Sequence, residues 1–490
     1  MVLRRVKAPP RFVMLASFGG TSVLNYAFGL IMGWLLLPGD FGWLAFAQTI
    51  LLFTGLVLQS GFSWSLARAV ANAERSRRDA LVRGALVANL ALAAVVGAAV
   101  VTLFALGPLR PGLETWTVSA IVALSLPFIA FAATARGCAQ GSERFDLVAT
   151  LQVTEISCKV LSGTALVLLG FGVTGAVAGF LIGAVFAAAL GLYHLVRRLG
   201  MRLRDVSGGD TELPALRIAG PMFGALLGLS LLLNLDLVSL KLLSDERALT
   251  GYYQAGLVLA NAPYYLVMSA LVPVLFVQLA RLESVPATRK ALGETLGLTV
   301  ALVLPLEFVL MIVPEQALVA LFPDSYAPGA PALRLLAVGN ALLILTAVFS
   351  AAFQAVGRAK VSALILLAVA FVEPVALWAV VPTWEAIGAA SVFVVAASIA
   401  LFSLGTVYLR GAGVEAARRA ASWLFRYATA VGIGVVAGQA ALGMGSGVNL
   451  AVGIGGACYL TAVFPLRLVR PPTRPKERPL LRKIATPDKE

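Results

Sequence analysis

Long apolar runs dominate this sequence and decide what it can fold into. A helix needs about 20 apolar residues to cross the hydrocarbon layer of a membrane. The first run, Phe12 to Leu37, contains no Asp, Glu, Lys or Arg. Similar runs follow one another along the 490 residues, and only 13% of all residues are charged, whereas a water-soluble domain has about 25%. The sequence therefore predicts an all-α, polytopic membrane protein.

Hydropathy predicts about fourteen transmembrane helices. Pro38-Gly39-Asp40 follows the first run without a small-residue cleavage site, so we interpret that run as a retained span and not as a signal peptide. The spans are predicted near residues 12–37, 43–66, 84–107, 116–135, 147–169, 173–196, 218–243, 251–280, 291–313, 332–355, 361–382, 387–409, 427–443 and 447–466.

The distribution of Lys and Arg predicts the orientation. With the N-terminus in the cytoplasm, the cytoplasmic segments hold 33 of the 38 basic residues, and the outer segments hold only Arg110, Arg247 and Arg334. Cytoplasmic loops of membrane proteins are enriched in Lys and Arg. One span more or fewer would invert every later loop and remove the bias. The sequence thus predicts a bacterial inner-membrane protein with both termini cytoplasmic, and we expect no nucleic-acid partner despite the net charge of +14.

Three cysteines and one histidine exclude several kinds of chemistry. Cys138, Cys158 and Cys458 are scattered in apolar surroundings without a C-x-x-C spacing, which argues against a disulfide framework and against a metal site. His194 is the single histidine, so a histidine-based triad or metal cluster cannot be assembled. We expect no catalytic residue and no cofactor, and coupling of transport to H⁺ or Na⁺ stays open.

The chain repeats itself weakly at an offset of about 210 residues. Gly42, at the start of the second span, matches Gly251, at the start of the eighth, and Gly175 matches Gly388. A repeat of six spans is even, so the two units have the same orientation and are related by an axis along the membrane normal. A cleft between them is the expected transport path.

This repeat predicts five segments. They are an N-terminal six-helix lobe at 1–200, a cytoplasmic linker at 201–217, a second six-helix lobe at 218–410, helices 13 and 14 at 411–466, and a basic tail at 467–490. The tail is rich in Pro, Lys and Arg, so we expect it to lie on anionic lipid headgroups.

Four segments resemble a known family in their order and spacing. L-P-G-D-F-G-W-L-A at 37–45 is followed by Q-S-G-F-S-W-S-L-A-R at 59–68, and G-Y-Y-Q-A-G-L-V-L-A at 251–260 by L-F-P-D-S-Y-A-P-G-A-P-A-L-R-L-L-A at 321–337. The chain resembles the polysaccharide transporter (Wzx-type oligosaccharide flippase) family of the multidrug/oligosaccharidyl-lipid/polysaccharide exporter superfamily. The resemblance implies two six-helix lobes, two extra helices, and a central cavity that opens alternately to each side.

The same resemblance implies the cargo and the partners. In that family the cargo is an undecaprenyl-pyrophosphate-linked oligosaccharide, which is moved from the cytoplasmic to the outer leaflet for polysaccharide biosynthesis. Glycan polymerases, glycosyltransferases and membrane lipids are the other partners that it suggests. The first span lacks the mid-membrane Arg that the lipid II flippase relatives use for pyrophosphate, which argues against a peptidoglycan role.

Ionisable side chains inside the spans are the main site candidates, because each costs roughly 2.5–3.5 kcal/mol on insertion and so needs a partner or a function. Glu155 and Lys159 lie one turn apart on the fifth span, where they can pair with each other or line the cavity. Glu373 lies at a similar depth in the eleventh span, the repeat mate of the fifth. Asp236 is the candidate of the seventh span.

Two amides and one arginine complete the candidate set. Asn25 and Asn234 each stand 17 residues before the matched glycines, so they occupy equivalent places in the first and seventh spans. Such amides often bridge helices, but the resemblance places these two helices beside the central cavity. Arg68 lies at the predicted cytoplasmic mouth, where it can meet a phosphate or anchor the helix at the interface.

Two other classes of function remain as alternatives. A multidrug exporter of the same superfamily shares the repeat but usually has only twelve helices. A membrane polysaccharide polymerase or ligase needs a catalytic platform outside the bilayer, and the longest predicted outer loop, Pro314 to Ala330, contains no His, Lys or Arg. A flippase is therefore the favoured interpretation.

Overall fold

The computed structural model describes residues 10–59, 63–71, 73–106, 113–198, 220–280, 282, 285–302, 304–410, 414–445 and 447–463. Over these ranges the regular structure is helical throughout, and no strand occurs in them. The predicted all-α class is thereby confirmed. The predicted linker at 201–217 and the basic tail at 467–490 lie outside the described residues.

The N-terminal half of the chain forms seven α-helices. They are α1 Pro10–Leu35, α2 Pro38–Leu58, α3 Trp64–Ala71, α4 Arg75–Leu106, α5 Leu113–Gly141, α6 Phe145–Leu166 and α7 Gly172–Tyr193. Pro38 occupies the first turn of α2, where its missing N–H costs no intrahelical bond. The chain reverses between α6 and α7 at Gly170, whose φ of +91° is a backbone conformation that glycine adopts without strain.

The C-terminal half forms eleven α-helices within the described residues. They are α8 Gly220–Leu232, α9 Leu235–Leu243, α10 Leu249–Leu266, α11 Val272–Ala280, α12 Val285–Leu302, α13 Leu304–Ile312, α14 Pro314–Leu321, α15 Ala330–Ala355, α16 Ala359–Arg410, α17 Val414–Gly443 and α18 Val448–Val463. The predicted seventh span is broken, because α8 and α9 meet at an angle of 46°. Asn234 lies at this bend.

Eight helical segments of the described residues are long and apolar enough to cross a membrane, and nine if the bent pair counts as one span. Two of these segments, Phe145–Arg197 and Ala359–Tyr408, each cover two predicted spans. A break in helical geometry divides each of them, at Gly170 in the first and at Glu385 in the second. A multi-pass membrane fold is confirmed, and the number of fourteen spans stays a prediction.

Glycines bring α6 and α7 into close contact. A Cβ added to Gly179 would lie 2.7 Å from the Cα of Gly163, and one added to Gly183 would lie 2.5 Å from the carbonyl oxygen of Glu155. Small residues at such interfaces let transmembrane backbones approach each other. This contact fixes α6 against α7, and so holds the turn of α6 that carries Glu155 and Lys159.

The last two helices pack on the C-terminal half through α13. A Cβ on Gly434 of α17 would crowd the ring of Phe308, and Gln439 of α17 donates a hydrogen bond to the carbonyl oxygen of Ile312. Tyr459 of α18 packs against Phe308 with 5.2 Å between ring centroids. The helices α17 and α18, which lie beyond the predicted repeat, thus pack against α13 of the C-terminal half.

Candidate transport cavity

A cavity of about 500 Å³ lies between the two halves of the chain. Residues of α1, α2, α5, α6 and α7 line it on one side, and residues of α8 and α10, with Asn234 at the α8–α9 bend, line it on the other. Its polar lining residues are Ser22, Asn25, Tyr26, Gln48, Thr49, Gln59, Glu155, Lys159, Ser230, Asn234, Gln254, Asn261 and Tyr265. The cleft expected between the repeats is therefore present, and its size matches that of typical ligand pockets.

Lys159 places a positive charge on the α6 wall of the cavity. The side chain is only 6% exposed, and its ammonium donates a hydrogen bond to the Oδ1 atom of Asn25 on α1. Its Nζ atom also lies 4.8 Å from the ring centroid of Phe28 and 4.7 Å from that of Phe180, where cation–π attraction holds it. These three partners are neutral and orient the ammonium. Glu155 interacts with it electrostatically, without a hydrogen bond between the two side chains.

Glu155 forms its ion pair with a neighbouring helix. Its carboxylate is paired with Arg136 of α5, and both side chains are largely buried. The sequence left open an ion pair between Glu155 and Lys159, but in the structure these two residues turn to different helices. Because Arg136 reaches Glu155 from α5 while Lys159 reaches Asn25 on α1, the carboxylate is already matched. It is therefore not the direct hydrogen-bond partner of the lysine.

The two amides predicted from the repeat both line the cavity. Asn25 lies on the wall formed by the N-terminal half, and Asn234 lies on the opposite wall. The Nδ2 atom of Asn234 donates to the carbonyl oxygen of Ser230 at 2.9 Å, which ties the amide to the bend between α8 and α9. The structure thus brings together Asn25, Asn234, Glu155 and Lys159 around one cavity.

Asp236 and Glu373 lie away from the cavity lining, inside the C-terminal half. The Asp236 carboxylate accepts hydrogen bonds from the Tyr253 hydroxyl at 2.5 Å and from the Leu237 backbone N–H at 2.7 Å. Glu373 of α16 is 2% exposed, and neither of its carboxylate oxygens has a hydrogen-bond partner among the described residues. The two acids are close enough to interact electrostatically. Together they form a buried acidic cluster behind the cavity wall.

Arg68 lies on α3, is exposed, and does not line the cavity. Three polar lining residues of α10 were not predicted from the sequence, namely Gln254, Asn261 and Tyr265. Their spacing of seven and then four residues places them on one helix face. A polar face on an otherwise apolar span was the signal that could have identified them.

Direct contacts between the halves close one end of the cavity. These contacts are made by residues 34–43, 241–251 and 321–326, and we call this region the junction. A Cβ added to Gly42 of α2 would lie 2.8 Å from the backbone nitrogen of Gly251 of α10, and one added to Gly251 would overlap the carbonyl of Pro38. Arg247 forms an ion pair with Asp40 at 3.4 Å. The backbones of α2 and α10 therefore touch here.

Aromatic residues extend the junction. The Trp34 indole nitrogen donates to the carbonyl oxygen of Leu321 at 2.8 Å, and the Tyr326 hydroxyl donates to that of Leu36 at 3.1 Å. The ring of Phe41 packs against that of Tyr326 with 5.8 Å between centroids. Each of these contacts joins the N-terminal half to the C-terminal half.

Several solved structures share this fold. A solved structure titled lipid II flippase MurJ, inward closed conformation, matches with a TM-score of 0.68 at 13% identity, over 92% of this chain and 99% of that one. An inward-facing multidrug resistance MATE family transporter of the MOP superfamily matches with a TM-score of 0.60 at 18% identity, over 81% and 97%. An outward-facing structure of such a transporter gives a TM-score of 0.51 at 18% identity, over 82% and 96%.

Sequence comparison then identifies the family. The profile described as polysaccharide biosynthesis protein matches residues 31–331, which is more than half of the chain. The chain belongs to this family, so the resemblance drawn from the sequence segments is confirmed. No curated protein sequence matches the chain significantly.

Proposed function

We propose that this protein flips a polyprenyl-pyrophosphate-linked oligosaccharide from the cytoplasmic to the outer leaflet by alternating access. The observation that carries the proposal is Lys159, a buried ammonium on the cavity wall whose hydrogen-bond and ring partners are all neutral. A pyrophosphate supplies the anionic oxygens that such an ammonium binds in charge-assisted hydrogen bonds. The family description, polysaccharide biosynthesis, and a fold neighbour named as a lipid II flippase both support a lipid-linked cargo.

The charge distribution of the sequence supports the direction of transport. The positive-inside rule directs the N-terminus to the cytoplasm, so the end of α1 and the start of α2 face outward. The junction then closes the outer side, and the cavity receives its cargo from the cytoplasmic leaflet. On this basis the protein resides in the bacterial inner membrane with both termini cytoplasmic. Its transport function requires no catalytic residue.

The cavity suits the polar part of such a lipid. A volume of about 500 Å³ accommodates a pyrophosphate with its first sugar units, while the polyprenyl chain stays in the bilayer. A multidrug exporter is the second candidate, because MATE transporters share the fold. A fixed positive charge on the wall would repel cationic drugs, so Lys159 favours an anionic cargo.

The test is binding of undecaprenyl pyrophosphate to the purified protein in lipid nanodiscs. Lys159→Met should weaken binding roughly 10- to 100-fold, because a hydrogen bond to a charged group is lost. Lys159→Arg should keep most of the affinity, since the positive charge remains. Lys241→Met is the matched control, because Lys241 lies over the ring of Trp43 at the junction and does not line the cavity. Wild-type affinity in Lys159→Met would refute the proposal.

A further inference from the structure

One face of α10 carries polar side chains into the cavity. The cavity is lined by five residues of α10. Three of them are polar, Gln254, Asn261 and Tyr265, and two are apolar, Leu257 and Val258. Steps of three and four residues keep all five positions on the same side of the helix. Three of the five α10 positions that face the cavity are therefore polar.

The repeat shows that the polar positions on this face of α10 differ from those on α2. The offset of 209 residues that pairs Gly42 with Gly251 also pairs α10 with α2, position by position. The residues equivalent to Gln254, Asn261 and Tyr265 are Ala45, Leu52 and Leu56, and these three also line the cavity. The reverse holds at the two apolar positions of α10, because Leu257 and Val258 are equivalent to Gln48 and Thr49 of α2, which also line the cavity. Each helix therefore places polar side chains at cavity positions where the other has apolar ones. Packing requirements common to both halves do not account for this difference.

Asn261 has an unused hydrogen-bond acceptor. Its side chain is 7% exposed, and its Oδ1 atom has no hydrogen-bond partner within the described part of the chain. A buried amide oxygen without a donor is unfavourable, and folded proteins seldom retain one without a reason. A hydroxyl group of a bound molecule would supply the missing donor.

The two walls also differ in charge. The lining contributed by the described residues of the C-terminal half contains no charged side chain, whereas the opposite wall contains Lys159 and Glu155. Amides can both donate to and accept from hydroxyl groups, and the exposed ring of Tyr265 offers a flat apolar surface with a polar tip. This is the chemistry that recognises an uncharged sugar.

We propose that the α10 face is a glycan subsite for uncharged sugars. The cargo then lies across the cavity, with its pyrophosphate on Lys159 of α6 and its first sugar on Gln254, Asn261 and Tyr265 of α10. This inference rests on the proposed function and adds the class of the sugar next to the pyrophosphate.

The experiment compares the affinities of four lipids for the purified protein in nanodiscs. One probe is undecaprenyl pyrophosphate without sugar, and the others carry a single hexose, N-acetylhexosamine or hexuronic acid on the pyrophosphate. We expect at least one neutral sugar to raise the affinity about tenfold over the sugar-free lipid, as one or two net hydrogen bonds would, and the hexuronic acid to give no gain.

Variants then locate the gain. Asn261→Leu installs the residue that α2 has at the equivalent position. It should bring the ratio between the affinities for the sugar-bearing and the sugar-free lipid close to one. Gln254→Leu, at a half-buried position, is a second variant and should remove part of the affinity gained from the sugar. Asn340→Leu is the matched control: Asn340 is also a buried amide of the C-terminal half with an unpartnered Oδ1, but it does not line the cavity.

The outcomes separate the two proposals. If the wild type binds the sugar-free lipid but gains nothing from any neutral sugar, or if Asn261→Leu and Gln254→Leu both keep the gain, the glycan subsite is refuted and the flippase proposal stands. Equal weakening of all four lipids by both variants would also refute the subsite. If the wild type binds none of the lipids, both proposals fail together.

Discussion

Gly42 of α2 and Gly251 of α10 touch each other at the junction, although 209 positions separate them in the sequence. The two glycines hold the same position in the predicted internal repeat. Neither position has room for a Cβ atom. The closeness of the two halves at this end of the cavity therefore depends on both residues being glycine.

Gly251→Ala should open the junction. The added methyl group would overlap the carbonyl of Pro38, and backbone atoms can yield only if the halves move apart. Spin labels on Leu37 and Glu246, which are exposed on the two sides of the junction, should report a longer distance in electron–electron double resonance. Gly405→Ala is the control, because no heavy atom lies within 4 Å of a Cβ at that position. An unchanged distance distribution in Gly251→Ala would contradict this role of the junction.

Glu155→Gln should destabilise the protein by leaving Arg136 without its counter-ion. Loss of one partner of this ion pair should lower the free energy of unfolding by about 2 kcal/mol. The cost is smaller than for a fully buried pair because both side chains keep some exposure. Arg136→Gln combined with Glu155→Gln should recover most of the thermal stability, measured by unfolding in detergent micelles. Additive losses in the double variant would show that the two residues are not coupled.

The sequence predicted the features that depend on local composition and on the register of the repeat. Apolar runs of membrane-spanning length predicted the helices, and the register of the repeat placed Asn25 and Asn234 at equivalent positions, both of which line the cavity. Comparing the two halves residue by residue would also have identified Asn261 as an amide where the other half has Leu52.

The contacts of individual side chains could not be predicted in this way. Helices that are apolar on all sides give no sign of which face meets a neighbour, so the rotation of α6 and α16 was unknown. The sequence therefore offered only Lys159 as an ion-pair partner for Glu155. Arg136 lies just beyond the predicted fourth span, 116–135, and the face of α5 that meets α6 was unknown. For Glu373 nothing in the sequence indicated that the side chain lies behind the cavity wall.

Tyr253→Phe should destabilise the C-terminal half. The Tyr253 hydroxyl is the side-chain donor to the fully buried Asp236, and its removal leaves one carboxylate oxygen without a partner. The expected cost is about 1–3 kcal/mol, seen as a lower unfolding temperature. Tyr253→Phe combined with Asp236→Leu should be less harmful than the sum of the single changes, since it removes both polar groups. A fully stable Tyr253→Phe variant would show that the bond contributes nothing.

Transport should respond to the membrane potential. The proposed cargo carries a negatively charged pyrophosphate. With the interior negative, each charge that moves outward gains about 2.3 kcal/mol per 100 mV. Flipping in proteoliposomes should therefore be faster with an inside-negative potential imposed in the export direction, and slower with the opposite sign. A rate that ignores both signs would mean that a co-transported ion compensates the cargo charge.

On the proposed function, the cavity around Lys159 carries a lipid-linked oligosaccharide across the bilayer. The direct test is transfer of an undecaprenyl-pyrophosphate-linked oligosaccharide between the leaflets of proteoliposomes, followed through its accessibility to an impermeant lectin. In protein-free liposomes the lipid on the far leaflet stays protected from the lectin. The purified wild-type protein should make this lipid accessible to the lectin, and Lys159→Met should transfer it at least about tenfold more slowly. No transfer above the protein-free rate, or equal transfer by Lys159→Met, would contradict the account.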